Sequence, residues 1–308
     1  MINLHWRSGR DLTTRIVERP GLALSPAEVE ALTADLRAVA ALTLDQEALS
    51  YGVLGGDAER LRQCVVTVVY QGKGDAARPV AFNILSLLDV EMEGRSTQVM
   101  HLGLVMVDPS FRGLGLSATL YGLTCVLMFL AGQGRALWVS NVSQVPAVVG
   151  MVAETFSDVF PSPRPGTRRS FDHLTLARQI MARHRTAFGV GPEAGFDETR
   201  FVIIDAYTGG SDALKKAFEQ AAPHRMASYN AFCREQLNYD RGDDLIQIGR
   251  IDMAAAGRYL RKIAPPTTAM GLGGLVVIMA ARMAVLPLIY WLSASRPWGD
   301  LRPWKETR

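Results

Sequence analysis

The run of residues with the clearest chemistry is 104–120, which reads LVMVDPSFRGLGLSATL. An apolar strand leads here into a helix through a turn that contains Arg112, Gly113 and Gly115. Glycines let a backbone approach a ligand closely, and the N-terminal end of a helix offers unpaired N–H groups and a partial positive charge. This combination predicts a turn that binds an anion, and a phosphate group above all.

Two common nucleotide-binding loops do not fit this turn. The chain has no GxxxxGK[ST] here and no GxGxxG with an acidic residue about twenty positions later. Read as RxxGxG/A, the run Arg112, Gly115, Ser117 resembles the pyrophosphate-binding motif of the GNAT superfamily, the acyl-CoA-dependent N-acyltransferases. Val107 and Pro109 before the arginine agree with that pattern, whereas Ser117 stands where the family usually has glycine or alanine.

The resemblance implies acyl-CoA as co-substrate and no metal. The implied CoA-binding residues are Met106, Val107, Arg112, Gly113, Leu114, Gly115, Leu116, Ser117 and Asn141. Backbone N–H groups near Met106 and Val107 would meet the acyl carbonyl and the pantetheine, and Asn141 would hydrogen-bond the pantetheine arm. A helix cap is the alternative role for Asn141.

The resemblance also places a general base on the fourth strand, where this sequence has His101. An ordinary imidazole, with a pKa of about 6.5, suits that role, and a satisfied structural histidine is the alternative. Strict alternation along the strand puts four residues on one face, with room for a ligand at the glycine: His101, Gly103, Val105 and Val107. The helix after the fifth strand has no tyrosine, so the acid that protonates the thiolate is unassigned, with Ser140 and Ser143 as candidates.

The elements that position these residues are predicted in the order of the GNAT fold. Ser25 and Glu28 form a capping box around Pro26, which predicts a helix. Apolar, β-branched runs with short connections follow and predict an antiparallel meander. The predicted strands are 64–70, 79–90, 97–107 and 136–142, and the predicted helix between the last two is 114–130. The fold class is therefore α/β (α+β), with a mixed, mostly antiparallel sheet flanked by helices. Its strands four and five splay apart around the pantetheine, as the resemblance implies.

The sequence predicts that the chain is divided into a catalytic domain and a C-terminal segment. An acyltransferase domain covers residues 1–265, with an insertion at about 161–200 made of a loop and one helix, and with two further strands at 201–207 and 245–251. The remainder, 266–308, includes the apolar run 271–294, which reaches the ~20 residues that cross a bilayer and is followed by tryptophans among arginines. We predict membrane association as a span, a re-entrant segment or an interfacial helix, and a buried core helix is the alternative.

The composition of the chain favours some classes of binding partner over others. The 308 residues carry a formal net charge of +3, which suits a polyanionic cofactor or an anionic membrane surface. The sequence has no basic run with interleaved aromatic residues, so nucleic acid is not an expected partner. The three cysteines are far apart, and the N-terminus is too charged for a secretory signal, so the expected location is the cytoplasmic face of the membrane.

The acceptor is predicted to be a lipid-like amine, such as a sphingoid base or a fatty amino acid. The reasons are the apolar residues Val148, Val149 and Met151 near the expected tyrosine position, and the apolar C-terminal segment. One alternative is a soluble acetyltransferase of a small amine or a protein, with the tail packed as core or at the interface of a homo-oligomer. Another is a catalytically silent module that binds CoA or serves as a scaffold.

Overall fold

The computed structural model describes residues 1–7, 11–44, 49, 52–72, 74–132, 134–262, 264, 270, 272–274, 276–277, 280–281 and 284–285. The chain divides into two units, Met1–Ala264 and Pro265–Arg308. The strands of the first unit are β1 (Asn3–Arg7), β2 (Leu12–Glu18), β3 (Cys64–Gln71), β4 (Arg78–Met92), β5 (Arg95–Val107), β6 (Leu137–Ser143), β7 (Ser157–Phe160), β8 (Gly195–Asp197), β9 (Val202–Ile204) and β10 (Asp244–Ile251). The α-helices are α1 (Pro20–Ala23), α2 (Pro26–Ala40), α3 (Ala58–Arg62), α4 (Leu116–Ala131), α5 (Pro146–Thr155), α6 (Phe171–Arg183), α7 (Ala227–Gln236) and α8 (Met253–Lys262).

The predicted capping box at the start of α2 is confirmed. The Ser25 hydroxyl accepts the Glu28 N–H, and the Glu28 carboxylate accepts the Ser25 N–H at 2.9 Å. Leu32, Leu36 and Val39 then recur on one face of the helix, where they are buried against β3 and β4. The polar cap and the apolar stripe together explain why this segment is helical and which side packs on the sheet.

The strands form one mixed sheet in the order β1-β2-β3-β4-β5-β6-β10-β9-β8, with β7 paired to β10. The predicted antiparallel meander of β3, β4 and β5 is confirmed, and so is the mostly antiparallel character of the whole sheet. The runs at 201–207 and 245–251 do join this sheet, as β9 and β10. The N-terminal hairpin of β1 and β2, which extends the meander through β3, was not predicted.

Among the described strands, only β5 and β6 pair in parallel, and they do so over three residue pairs. Val99 faces Trp138, and His101 faces Ser140, with one pair between them. β5 continues to Val107 without further pairing to β6. The two strands therefore separate beyond His101, which leaves a gap at their C-terminal ends.

The expected strict alternation along β5 is wrong because the strand contains a bulge at Gly103. Asn83 pairs with Val105 but Leu85 pairs with Leu102, so β5 has one extra residue between these pairs. An extra residue moves all later side chains to the opposite face. Val105 consequently packs with the start of α4, whereas His101 lies on the face that α2 and α6 cover.

Helices cover both faces of the sheet. The face with α2 and α6 contains two apolar clusters, one under each helix. α4, α5 and α8 cover the other face. The segment 161–200 contains the predicted helix, α6, and also the short strand β8, which was not predicted.

The predicted apolar segment 271–294 lies largely outside the described residues. Among those that are described, no helix is both long and apolar enough to cross a membrane.

Candidate active site

The turn between β5 and α4 is open and built on two left-handed glycines. Gly113 has φ of +81° and Gly115 has φ of +72°, a region that favours glycine. A Cβ atom at either position would have no described heavy atom within 4 Å. Arg112 is exposed, and so is Leu114, at 65%. The backbone of the predicted anion-binding turn is therefore accessible to a ligand.

The carboxylate of Asp108 holds the backbone at the start of this turn through hydrogen bonds. Asp108 accepts hydrogen bonds from the Ser110 N–H (2.8 Å) and hydroxyl (2.6 Å), and Arg78 Nη1 donates to its second oxygen at 2.9 Å. The Ser110 hydrogen bonds, followed by the contact with Arg78, lower the pKa of Asp108 to about 2. The guanidinium of Arg78 also lies 5.4 Å from the ring centroid of Phe111. These contacts fix the backbone just before Arg112.

The electrostatics of the turn favour an anion. α4 begins at Leu116 with Gly115 as N-cap, with no side-chain cap and no acidic residue in its first turn. The partial positive charge of this helix end therefore has no carboxylate of its own first turn beside it, and Arg112 adds a full charge nearby. The backbone of Ser117 belongs to this first turn, and its side chain lies outside the described residues.

The predicted pantetheine ligands are divided between the two faces of the sheet. Met106 packs toward α2, and Val107 packs toward α4. Asn141 is buried, and its Nδ2 donates to Gln247 Oε1 at 3.3 Å, on the face where Gln247 contacts the backbone of α5. The helix-cap alternative for Asn141 is wrong, because α5 has Val145 as N-cap and no side-chain cap. Its role toward pantetheine stays a prediction.

His101 lies in a row of polar residues across three neighbouring strands, in which His101 and Ser140 are buried and Ser86 is half-buried. Ser86 of β4 and Ser140 of β6 are its neighbours in register, and its Nδ1 lies 3.0 Å from the Ser140 hydroxyl. The ring is 2% exposed and stacks on Phe188, with centroids 4.8 Å apart. Burial lowers the pKa of His101 to about 4, so the imidazole is neutral at neutral pH. Its role as a base also stays a prediction.

The ring of His101 lies beside a residue that lines a cavity, although His101 itself is not part of the lining. Its Cδ2 lies 3.9 Å from where a Cβ on Gly103 would be, and Gly103 lines a cavity of about 260 Å³ on the face of α2 and α6. Guanidinium and imidazole groups from α3 and from the end of α6 meet an apolar wall here. The lining residues are Gly52, Val53, Leu54, Arg60, Gln63, Ile84, Ser86, Leu87, Leu88, Gly103, Leu104, Arg183, His184, Thr186 and Ala187.

Sequence reasoning missed several residues of this region. Tyr121 of α4 donates its hydroxyl hydrogen to the Gly103 carbonyl at 2.8 Å, which ties the helix to the bulge, and burial raises the pKa of this phenol. Two residues of the predicted insertion also lie here: Phe188 stacks on His101, and Arg183 lines the cavity. No local spacing links these residues to His101, so only the fold brings them together. The described residues contain no group of three or more side chains suited to a metal.

No protein-family model matches the sequence, and no curated protein matches it. Among solved structures, a mutant of the AtaT toxin bound to acetyl-CoA and to the C-terminus of the antitoxin AtaR is 17% identical, with a TM-score of 0.33 over 48% of this chain and 85% of that chain. A protein assigned to the GNAT family of acetyltransferases, from Desulfovibrio desulfuricans, is 13% identical, with a TM-score of 0.30 over 78% of this chain and 98% of that chain. An acetyltransferase from Vibrio fischeri is 12% identical, with a TM-score of 0.26 over 40% of this chain and 93% of that chain. Scores this low establish no shared fold, so we base the proposal below on the strand pairing and turn of this chain.

Proposed function

We propose that this chain is an acyl-CoA-dependent N-acyltransferase of the GNAT type. One observation carries the proposal. The parallel pairing of β5 and β6 stops at His101 and Ser140, and β5 then leads directly into an open glycine turn at the N-terminus of α4. The gap between the strands suits an extended pantetheine arm, and the turn suits the diphosphate at its end.

The cavity beside Gly103 is the proposed entry of the amine. It lies on the other side of the bulge from α4, so an amine there would approach a thioester held between β5 and β6. The amine nitrogen attacks the thioester carbonyl carbon, a C–N bond forms, and the C–S bond breaks to release the CoA thiolate. The ammonium loses a proton to a base, and the thiolate gains one from an acid or from solvent.

His101 is the proposed base, supported by the position of its ring edge beside Gly103. Because its pKa is about 4, the ring is neutral at neutral pH and can accept a proton. A base this weak would hold the proton only briefly, so we expect it to relay the proton onward.

The backbone N–H of Val107 is the proposed donor to the acyl carbonyl. The Met106 N–H points to β4, because the Asp108 N–H donates to the Val80 carbonyl and the same pairing recurs two residues away, at Met106 and Phe82.

The finer part of the proposal concerns the acceptor and the location. We propose a lipid-like amine, since Leu54, Ile84 and Leu104 give the cavity an apolar wall. The apolar run 271–294 supports attachment to the cytoplasmic face of a membrane. Turnover of a long-chain acyl-CoA with a long-chain amine in liposomes should then exceed turnover of acetyl-CoA with a water-soluble amine. The reverse ranking would support a soluble acetyltransferase.

The decisive experiment compares two charge reversals at opposite ends of α4. Binding of CoA is measured by calorimetry, and thiol release from acyl-CoA is measured with an amine panel. Arg112→Glu should weaken CoA binding at least about tenfold. Arg135→Glu makes the same charge change at an exposed residue beyond the other end of the helix, and should leave binding unchanged. Equal affinity in both variants would overturn the proposal.

A binding module without catalysis is the second candidate. The missing tyrosine in α5 and the complete burial of His101 favour it. It predicts CoA binding that is lost in Arg112→Glu, with no thiol release above the uncatalysed rate for any amine tested.

A further inference from the structure

A second, larger cavity lies away from the turn. Its volume is about 560 Å³, and its walls come from the end of α5, β7, the loop 161–170, the start of α6, the end of β10 and α8. Trp138, at the N-terminal end of β6, is part of the wall. The proposed CoA gap opens at the C-terminal ends of β5 and β6, so the two sites are at opposite ends of the parallel pair.

Four arginines from three separate chain segments line this cavity. Arg164 and Arg168 belong to the loop, Arg250 to β10 and Arg258 to α8. Within the described part of the chain, Arg250 is the only one of the four in an ion pair, with Asp158, although the carboxylate of Asp252 acts on Arg258 electrostatically. Arg164 Nη1 donates instead to the Ala153 carbonyl at 2.7 Å. Arg258 donates to the Thr155 carbonyl and to the Ser157 hydroxyl.

The carboxylates of the cavity do not balance these charges. The carboxylate of Asp158 forms an ion pair with Arg250, and Asp172 is the other acidic residue in the lining. His173 adds no charge in either direction, because its Nδ1 accepts the Ser170 N–H and its Nε2–H donates to the Asp158 carbonyl at 2.7 Å. Burial also lowers the pKa of His173, which keeps the ring neutral. The cavity therefore has an excess of positive charge.

One of these guanidinium groups has an unsatisfied donor, and another lies among like charges. The buried Nε of Arg250 has no hydrogen-bond partner among the described residues. Burial is the main cause that lowers the pKa of Arg258. The carboxylate of Asp252 opposes this shift, and the charges of Arg164 and Arg261 add to it. Unpaired buried donors and neighbouring like charges cost free energy, and a bound anion would satisfy both.

The loop is shaped to hold two of these arginines. The Thr167 N–H donates to the Arg164 carbonyl at 3.2 Å, with Pro165 and Gly166 between them, and Gly166 has φ of +81°. Proline followed by glycine at positive φ is the signature of a tight type II turn. This turn fixes the path of the backbone between Arg164 and Arg168, which directly follows Thr167.

We propose that this cavity binds a small organic phosphate at a site separate from the CoA turn. Planar guanidinium groups bind phosphate oxygens in pairs, and several of them converge here. The cavity is within the usual range of roughly 300–1,000 Å³ for small-molecule sites. Phe156, Val159 and the indole of Trp138 give it an apolar side for the organic part of the ligand.

The test uses inorganic pyrophosphate as the probe, measured by calorimetry in the Arg112→Glu background so that the proposed CoA turn does not contribute. We expect binding with a Kd below about 1 mM. Adding Arg168→Gln should weaken it at least about tenfold, and adding Arg164→Gln as well should abolish it. Arg169→Gln is the matched control, because this neighbouring arginine does not line the cavity and donates to the Glu198 carbonyl.

Arg168 is exposed and forms no hydrogen bond or ion pair with a described residue, so its replacement should leave folding intact. Circular dichroism checks this, and acyl transfer without added phosphate should be unchanged in Arg168→Gln. Absence of pyrophosphate binding, or equal binding in Arg168→Gln and Arg169→Gln, would overturn the inference. Either result would leave the CoA proposal standing, since that depends on Arg112.

Discussion

The interior of β5 and α4 and the turn that joins them differ in almost every physical respect. Inside, His101 is buried in a polar row and Gly122 of α4 leaves room for the ring of Tyr259. In the turn, a Cβ on Gly113 or Gly115 would meet no described heavy atom within 4 Å. The same residue type thus serves packing in one region and access in the other. We expect changes in the interior to act on stability and changes in the turn to act on binding.

The largest expected effect on stability comes from the titration of His101. Its pKa is about 4 in the folded chain and about 6.5 when unfolded, so the unfolded chain binds more protons between these values. The free energy of unfolding should therefore fall by about 3 kcal/mol as the pH drops from 6.5 to 4. Denaturant unfolding of wild type and His101→Gln, measured from pH 6.5 to pH 4, should show this fall in the free energy of unfolding only in wild type.

The difference between these two proteins isolates His101, because His173, whose pKa is also lowered, contributes equally to both. His5→Gln makes the same substitution at an exposed histidine of β1 and is the control for a change outside the interior. If His101→Gln lost stability toward pH 4 as steeply as wild type, the burial of a neutral imidazole would be the wrong description.

Gly122→Ala tests the packing of the interior. A Cβ at this position would overlap the ring of Tyr259 on α8, so we expect a loss of about 2 kcal/mol in unfolding free energy. Gly257→Ala is the control in α8, where the new Cβ would meet only Arg261 Nη2, at 3.8 Å. It should leave stability unchanged or raise it slightly. Two losses of equal size would contradict the close contact.

Gly113→Ala makes the same substitution in the open turn. The new Cβ would meet no described atom, but alanine at φ of +81° should cost about 1 kcal/mol. Affinity for CoA should fall as well, because the methyl group lies where the ligand approaches the backbone. Calorimetry on this variant and on Gly257→Ala would separate the two regions, and unchanged CoA affinity would contradict a direct contact at Gly113.

The smallest expected effect concerns the Asp108 carboxylate at the start of the turn. Arg78→Gln should raise the pKa of Asp108 from about 2 only part of the way to its ordinary value, since the Ser110 hydrogen bonds contribute more. An NMR titration of the Asp108 carboxyl would measure this. Full recovery of the ordinary pKa would mean that the hydrogen bonds to Ser110 do not hold in solution.

Local signals predicted much of the fold. The capping box at Ser25 and Glu28 and the β-branched runs of the meander depend on neighbours in sequence, and each formed as expected. The position of the turn at Arg112 was also predictable, because a strand, a glycine turn and a helix follow each other directly.

The rest depends on contacts between distant parts of the chain. The bulge at Gly103 shifts one strand by one residue, and a sequence pattern with strict alternation does not show it. Phe188 reaches His101 from a segment that was interpreted as an insertion. The arginine-lined cavity assembles from three segments, and no spacing in the sequence links them.

The most direct test of the proposed CoA site is hydrogen exchange of the backbone amides in the turn. We predict that CoA slows exchange at residues 113–117, where the turn meets the N-terminus of α4, and that adenosine, which lacks the diphosphate, leaves these amides unchanged. CoA that binds but protects other amides, with exchange in 113–117 unaltered, would contradict a diphosphate held by this turn.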